Sequence, residues 1–144
     1  MKTVFLSVVL GAGLATGALA EQAIMTPYGG SFEDATFAVE SAIVNKGLVI
    51  DHVSHVGEML NRTAADVGSD KVLFEQADIF LFCSAVVSRA VMEADPSNIV
   101  HCPYGIVVTE TAEGVMIGHR DYPEGPMDEV EALLGGIVTE AVAE

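Results

Sequence analysis

A chain of 144 residues with 21 Asp and Glu against 6 Lys and Arg carries a formal charge of −15 at pH 7. A field of that sign repels phosphate backbones and anionic lipid surfaces, which argues against nucleic acid and membrane-surface partners. The length suits one compact domain whose core needs no disulfide to fold, and solubility in a salty medium accounts for the acidity better than an acidic functional patch.

Residues 1–20, MKTVFLSVVLGAGLATGALA, place Lys2 ahead of an apolar run from Val4 and end in Ala18-Leu19-Ala20. That is the layout of a secretory signal peptide with its small-residue cleavage site. A membrane anchor competes, but glycines, Ser7 and Thr16 interrupt the run, and Glu21 and Gln22 follow directly. Cleavage after Ala20 is therefore expected, leaving a single domain, residues 21–144, in the periplasm or secreted and free of the membrane. The mean hydropathy of +0.45 includes this leader.

Ala23 to Tyr28 reads as a first strand closed by Gly29-Gly30. Ser31 suits an N-cap, with Glu33 and Asp34 in the positive first turn. Phe32, Ala35, Val39, Ala42 and Ile43 then recur at helical spacing up to Gly47, a natural stop. Leu48 to Val53 reads as a strand and Glu58 to Val67 as a more polar helix. The apolar, aromatic run VLFEQADIFLF predicts a buried strand ending near Phe82. Ser84 can cap a third helix with Val87, Ala90, Val91 and Ala94 inward, ended by Asp95-Pro96. Two strands around Thr111 to Gly114 form a hairpin, and a last helix, Asp128 to Ala143, packs through Val130, Leu133, Leu134, Ile137 and Val138 despite Gly135-Gly136. The predicted class is α+β, with helices packed on one face of a mixed, largely antiparallel sheet.

Cys83 and Cys102, the only two cysteines, fall at a strand-to-helix junction and at the predicted start of the next strand. Sequential elements usually neighbour one another, so the two can meet. In an exported chain they are first a candidate disulfide, worth around 3 kcal/mol on the chain-entropy model. A redox-active pair is also open, although the Cys-x-x-Cys spacing that tunes a thiolate is missing. So is ligation of copper, another soft metal or haem by a cysteine with nearby His or Met, and so are free thiols.

His52, His55 and Met59 stand at i, i+3 and i+7, and a helix through all three would gather them into a soft-metal or haem face. A strand through Val53 would break that alignment. His101 precedes Cys102, and on a strand the two would point to opposite faces unless Pro103 bends the chain. His119 is expected on a half-exposed face of the second hairpin strand. Arg89, on the helix between the cysteines, could bind an anion, although pairing with Glu93 at i+4 competes. The chain has no Cys-x-x-Cys-His, Gly-rich phosphate loop, nucleophile elbow or His-Glu-x-x-His, which favours a non-enzymatic role.

The run from Ser31 through Tyr122 resembles the DUF302 family, whose fold is called TT1751-like. The resemblance rests on SFEDATFAVESAIVNKGLVI, FCSAVVSRAVMEADPSNIV, CPYGIVVTE and GHRDYP. Many members have a Phe-Gly-Asn-Pro turn and a Leu-Pro-Leu strand start; here those slots hold Phe82-Cys83-Ser84-Ala85 and Cys102-Pro103-Tyr104, which resembles a cysteine-containing branch. The resemblance implies an α+β fold and often a homodimer, and it brings no reaction and no catalytic residue. It makes a joint role for Cys83 and Cys102 more credible than two unrelated thiols.

The leading expectation is an exported periplasmic binding or accessory protein holding a small ligand, haem or soft metal near Cys83, Cys102 and His101. A thiol-disulfide oxidoreductase or thiol-dependent sulfur carrier using the same pair is the alternative. A third is a domain that binds a periplasmic protein partner and carries a structural disulfide.

Overall fold

The computed structural model describes residues 23–143; the predicted leader and its cleavage point lie outside them. β1 (Ala23–Tyr28) leads into α1 (Phe32–Asn45), β2 (Ile50–Ser54) and α2 (Val56–Thr63). β3 (Gln76–Phe82), α3 (Ala85–Ala94), β4 (Tyr104–Thr111), β5 (Gly114–Arg120) and α4 (Asp128–Ala141) follow. One five-stranded sheet runs in the order β1-β5-β4-β3-β2. All four strand pairs are antiparallel, so the sheet is simpler than the mixed one expected.

α1 forms because Ser31 closes a capping box. Its Oγ accepts from Asp34 N at 3.1 Å, and the Asp34 carboxylate accepts from the Ser31 backbone, which satisfies donors that the first turn leaves open. Its periodic face, Phe32, Ala35, Ala38, Val39, Ala42 and Ile43, is buried. The helix stops where Gly47 takes φ +74°, a conformation that costs glycine little. β2 begins at Ile50 rather than Leu48, because the chain needs the residues after Gly47 to return to the sheet, and its register shifts between Ile50 and His52.

Alternation along the strands sends Phe80, Phe82, Tyr104, Ile106, Val108, Val115 and Ile117 to one face. There they meet the α1 residues and Val130, Leu134, Ile137 and Val138 of α4. Two expectations are corrected here. His119 continues the alternation of Val115 and Ile117 and is only 3% exposed, with Nδ1 2.8 Å from the Arg120 carbonyl. On α3, Ala90 and Ala94 are exposed. The inward residues are Val87, Val91 and Met92, and Ser88 reaches the buried Tyr104. Gly57, near the start of α2, lies so close to β3 that an added Cβ would stand 2.5 Å from Ala77 N.

Candidate functional site

β3 and β4 pair through Phe82 and Tyr104, both fully buried, so the residue just after Phe82 and the residue two before Tyr104 emerge together at the end of the sheet. On β3 that residue is Cys83. It is exposed and followed by Ser84, whose Oγ accepts from Val87 N at 3.3 Å and starts α3. On the β4 side the chain arrives through a short 3-10 helix, Pro96–His101. Asp95 Oδ1 accepts from Ser97 N at 2.9 Å to begin it, and Asn98 Nδ2 donates to the Val91 carbonyl at 2.9 Å, tying it to α3. The expected strand placement of His101 and Cys102 is therefore wrong. His101 ends the 3-10 helix, Cys102 caps it, and a cis Cys102-Pro103 peptide precedes β4. Asp95-Pro96 ends one helix by starting another, and this moves Cys102 beside Cys83.

The two sulfurs are 2.9 Å apart. A disulfide spans 2.03–2.05 Å, so the two sulfurs are in contact but unbridged. Desolvation by partial burial pushes the Cys83 thiol up to about 11. Its hydrogen bond to Cys102 and the charges of Cys102 and Asp51 act in the same direction. The protonated form is thus strongly favoured at neutral pH.

Aromatic side chains stand under the thiols. Tyr104 and Tyr122 meet edge to face with centroids 6.4 Å apart, and His101 meets Tyr122 the same way at 5.6 Å. Tyr104 is 1% and Tyr122 7% exposed, and burial raises the pKa of both phenols, with the neighbouring Cys102 adding to each. Ser88 Oγ donates to Tyr104 Oη at 3.2 Å. The site is therefore a dithiol on a wall of neutral phenols. Sequence reasoning missed both tyrosines, although Tyr104 stands two residues after Cys102.

The other candidates do not converge on it. His52 lies on β2, His55 at the cap position before α2 and Met59 within that helix, so the strand through Val53 breaks the expected common face. His55 Nδ1 instead lies 2.8 Å from Asp78 Oδ1 on β3. This pair lines a groove with Phe32, Glu58, Asn61, Arg62, Glu75 and Gln76. Arg89 pairs with Glu93 one turn along α3, both well exposed, the competitor to an anion site. Among the described residues no three His, Cys, Asp or Glu side chains are grouped to hold a metal ion.

Comparison with known proteins bears on the architecture. The family model described as domain of unknown function DUF302 matches residues 24–125. A crystal structure of an uncharacterized conserved protein DUF302 from Bacillus stearothermophilus superposes with a TM-score of 0.67 at 14% identity, covering 85% of this chain and 99% of that one. At that identity the likeness speaks for the fold alone. No curated protein matches the sequence.

Proposed function

Because the chain belongs to the DUF302 family, a fold that brings no reaction with it, we propose from its own residues that it is an exported, non-enzymatic accessory protein. Its working site is the Cys83–Cys102 pair, passing between dithiol and disulfide, and its partner is a small ligand or another periplasmic protein. One observation carries this reading: two thiols at 2.9 Å on separate elements, close enough to bond after a small rotation of the exposed Cys83. The leader sequence, with Ala18-Leu19-Ala20 before Glu21, supports delivery to a compartment where disulfides persist.

The covalent step balances as thiol-disulfide exchange. A disulfide of a second molecule takes up both electrons and both protons and leaves as two thiols, while Cys83 Sγ bonds to Cys102 Sγ. The thiolate is the nucleophile in this exchange, and a Cys83 thiol pushed up to about 11 makes attack through Cys83 slow at neutral pH, which favours an accessory role over a thiol-disulfide oxidoreductase or sulfur carrier that must turn over rapidly.

The test is equilibration of the reduced protein in glutathione redox buffers, followed by rapid alkylation and intact mass. The expected result is a single transition in which both thiols disappear together with no glutathione retained. Separate glutathione adducts on Cys83 and Cys102, or a pair that stays reduced in every buffer, would refute the reading.

A further inference from the structure

We propose that the reduced Cys83–Cys102 pair binds one soft monovalent cation, with cuprous ion as the type, in two-coordinate thiolate geometry. This rests on the reading of the pair as the working site and names the ligand class that its dithiol form takes.

Three observations lead there. The sulfurs converge at 2.9 Å from two different elements, so they form a chelate rather than two isolated thiols. No third His, Cys, Asp or Glu joins them in a metal-holding group among the described residues. Zinc in structural sites takes four protein ligands, which this site lacks, while thiolates select cuprous ion. The ion must also be able to enter, and Cys83 is exposed. Metal-thiolate bonds of about 2.3 Å, the zinc-sulfur length, require the sulfurs to part beyond their present separation, and rotation of the exposed Cys83 side chain supplies the movement.

Charge and protons are accounted for. One cation replaces two thiol protons, which pass to solvent, and the resulting complex carries one negative charge. That charge sits near Asp51, which acts on Cys83, but at an exposed site solvent and salt screen it. The net charge of −15 raises the concentration of cations at the surface. Oxidation to the disulfide removes both ligands, so binding and bridge formation exclude each other.

The experiment uses anaerobic, fully reduced protein and cuprous ion buffered by bicinchoninate, with chelator absorbance and native mass as readouts. The expected result is withdrawal of one copper per chain, with loss of two protons in the mass and protection of both cysteines from alkylation. Cys83→Ser and Cys102→Ser each weaken uptake at least a hundredfold, Met59→Leu leaves it unchanged, and zinc at the same free concentration is not retained. Copper uptake undiminished in the double serine variant would overturn the proposal, because other side chains would then be the ligands. So would a lack of uptake by protein that still closes its disulfide, and in that case the redox reading of the pair stands. Protein that neither takes up copper nor closes the bridge would sink both.

Discussion

β3 carries a side-chain pair at each end, and the two differ in kind. Near its start Asp78, with a side chain 15% exposed, holds His55, 61% exposed. Just past its end Cys83 meets Cys102. The first pair has a structural explanation: it ties the start of α2 to the sheet where Gly57 already brings the two backbones together. The second makes no comparable tie while the thiols are unbridged. Both strands are anchored by Phe82 and Tyr104 beneath it, α3 is capped by Ser84, and the 3-10 helix is held by Asp95 and Asn98. The reduced fold is thus held by contacts other than the thiols, and what sets the second pair apart from the first is that it has two covalent states, open and bridged.

The largest effect that would sharpen this contrast is oxidation. Closing the bridge over a 19-residue separation is expected to stabilise by about 3 kcal/mol, a rise in Tm of roughly 10 °C for a domain of this size. Calorimetry on reduced and oxidised protein checks it, and the Cys83→Ser, Cys102→Ser double variant should melt with the reduced form. At the other end Gly57→Ala drives a Cβ against Ala77 N and is expected to cost about 2 kcal/mol. Urea unfolding should register this loss while the thiol-disulfide equilibrium of the cysteine pair stays put.

Asp78→Asn weakens the tie to His55 and is expected to cost about 1 kcal/mol, the exposed imidazole limiting the loss; a change in cysteine reactivity in this variant would show the two ends to be coupled. Arg89→Ala removes only an exposed pair and should change stability by less than about 0.5 kcal/mol.

A pH prediction belongs to the cysteine end. The folded pKa of Cys83 is raised above the ordinary thiol value, so its contribution is present below that ordinary value and is lost as pH rises through about 11. Alkylation of Cys83 in the reduced protein should accordingly climb about tenfold per pH unit beyond the point near 8.5 where an ordinary cysteine levels off. A plateau by pH 9 would show an unperturbed thiol.

Much of the fold was legible because local chemistry and burial agree. Ser31 with Asp34 marks the start of α1, its apolar period gives the buried face, and the hairpin of β4 and β5 falls around Thr111 to Gly114 as expected. The α3 face was misread because Ala90 and Ala94 carry too little apolar surface to decide a helix face. Met92 and the hydroxyl contact of Ser88 turn it instead. His119 was misplaced although its parity with Val115 and Ile117 already put it inside. At the site, the adjacency of Cys83 and Cys102 followed from neighbouring elements. The Asp78 partner of His55 did not, because it depends on strand register; Tyr104 shares the parity of Ile106 and Val108 and was overlooked, and Tyr122 lies beyond the end of β5, where no strand alternation reaches.

The most direct test is the intact mass of the protein taken from the periplasm or medium with acid quenching, combined with a count of alkylatable thiols. The account predicts a chain beginning at Glu21, lighter than its reduced mass by one hydrogen per sulfur, with no thiol free until a reductant is added. A chain that keeps residues 1–20, or one with both thiols freely alkylated without reductant, would contradict it.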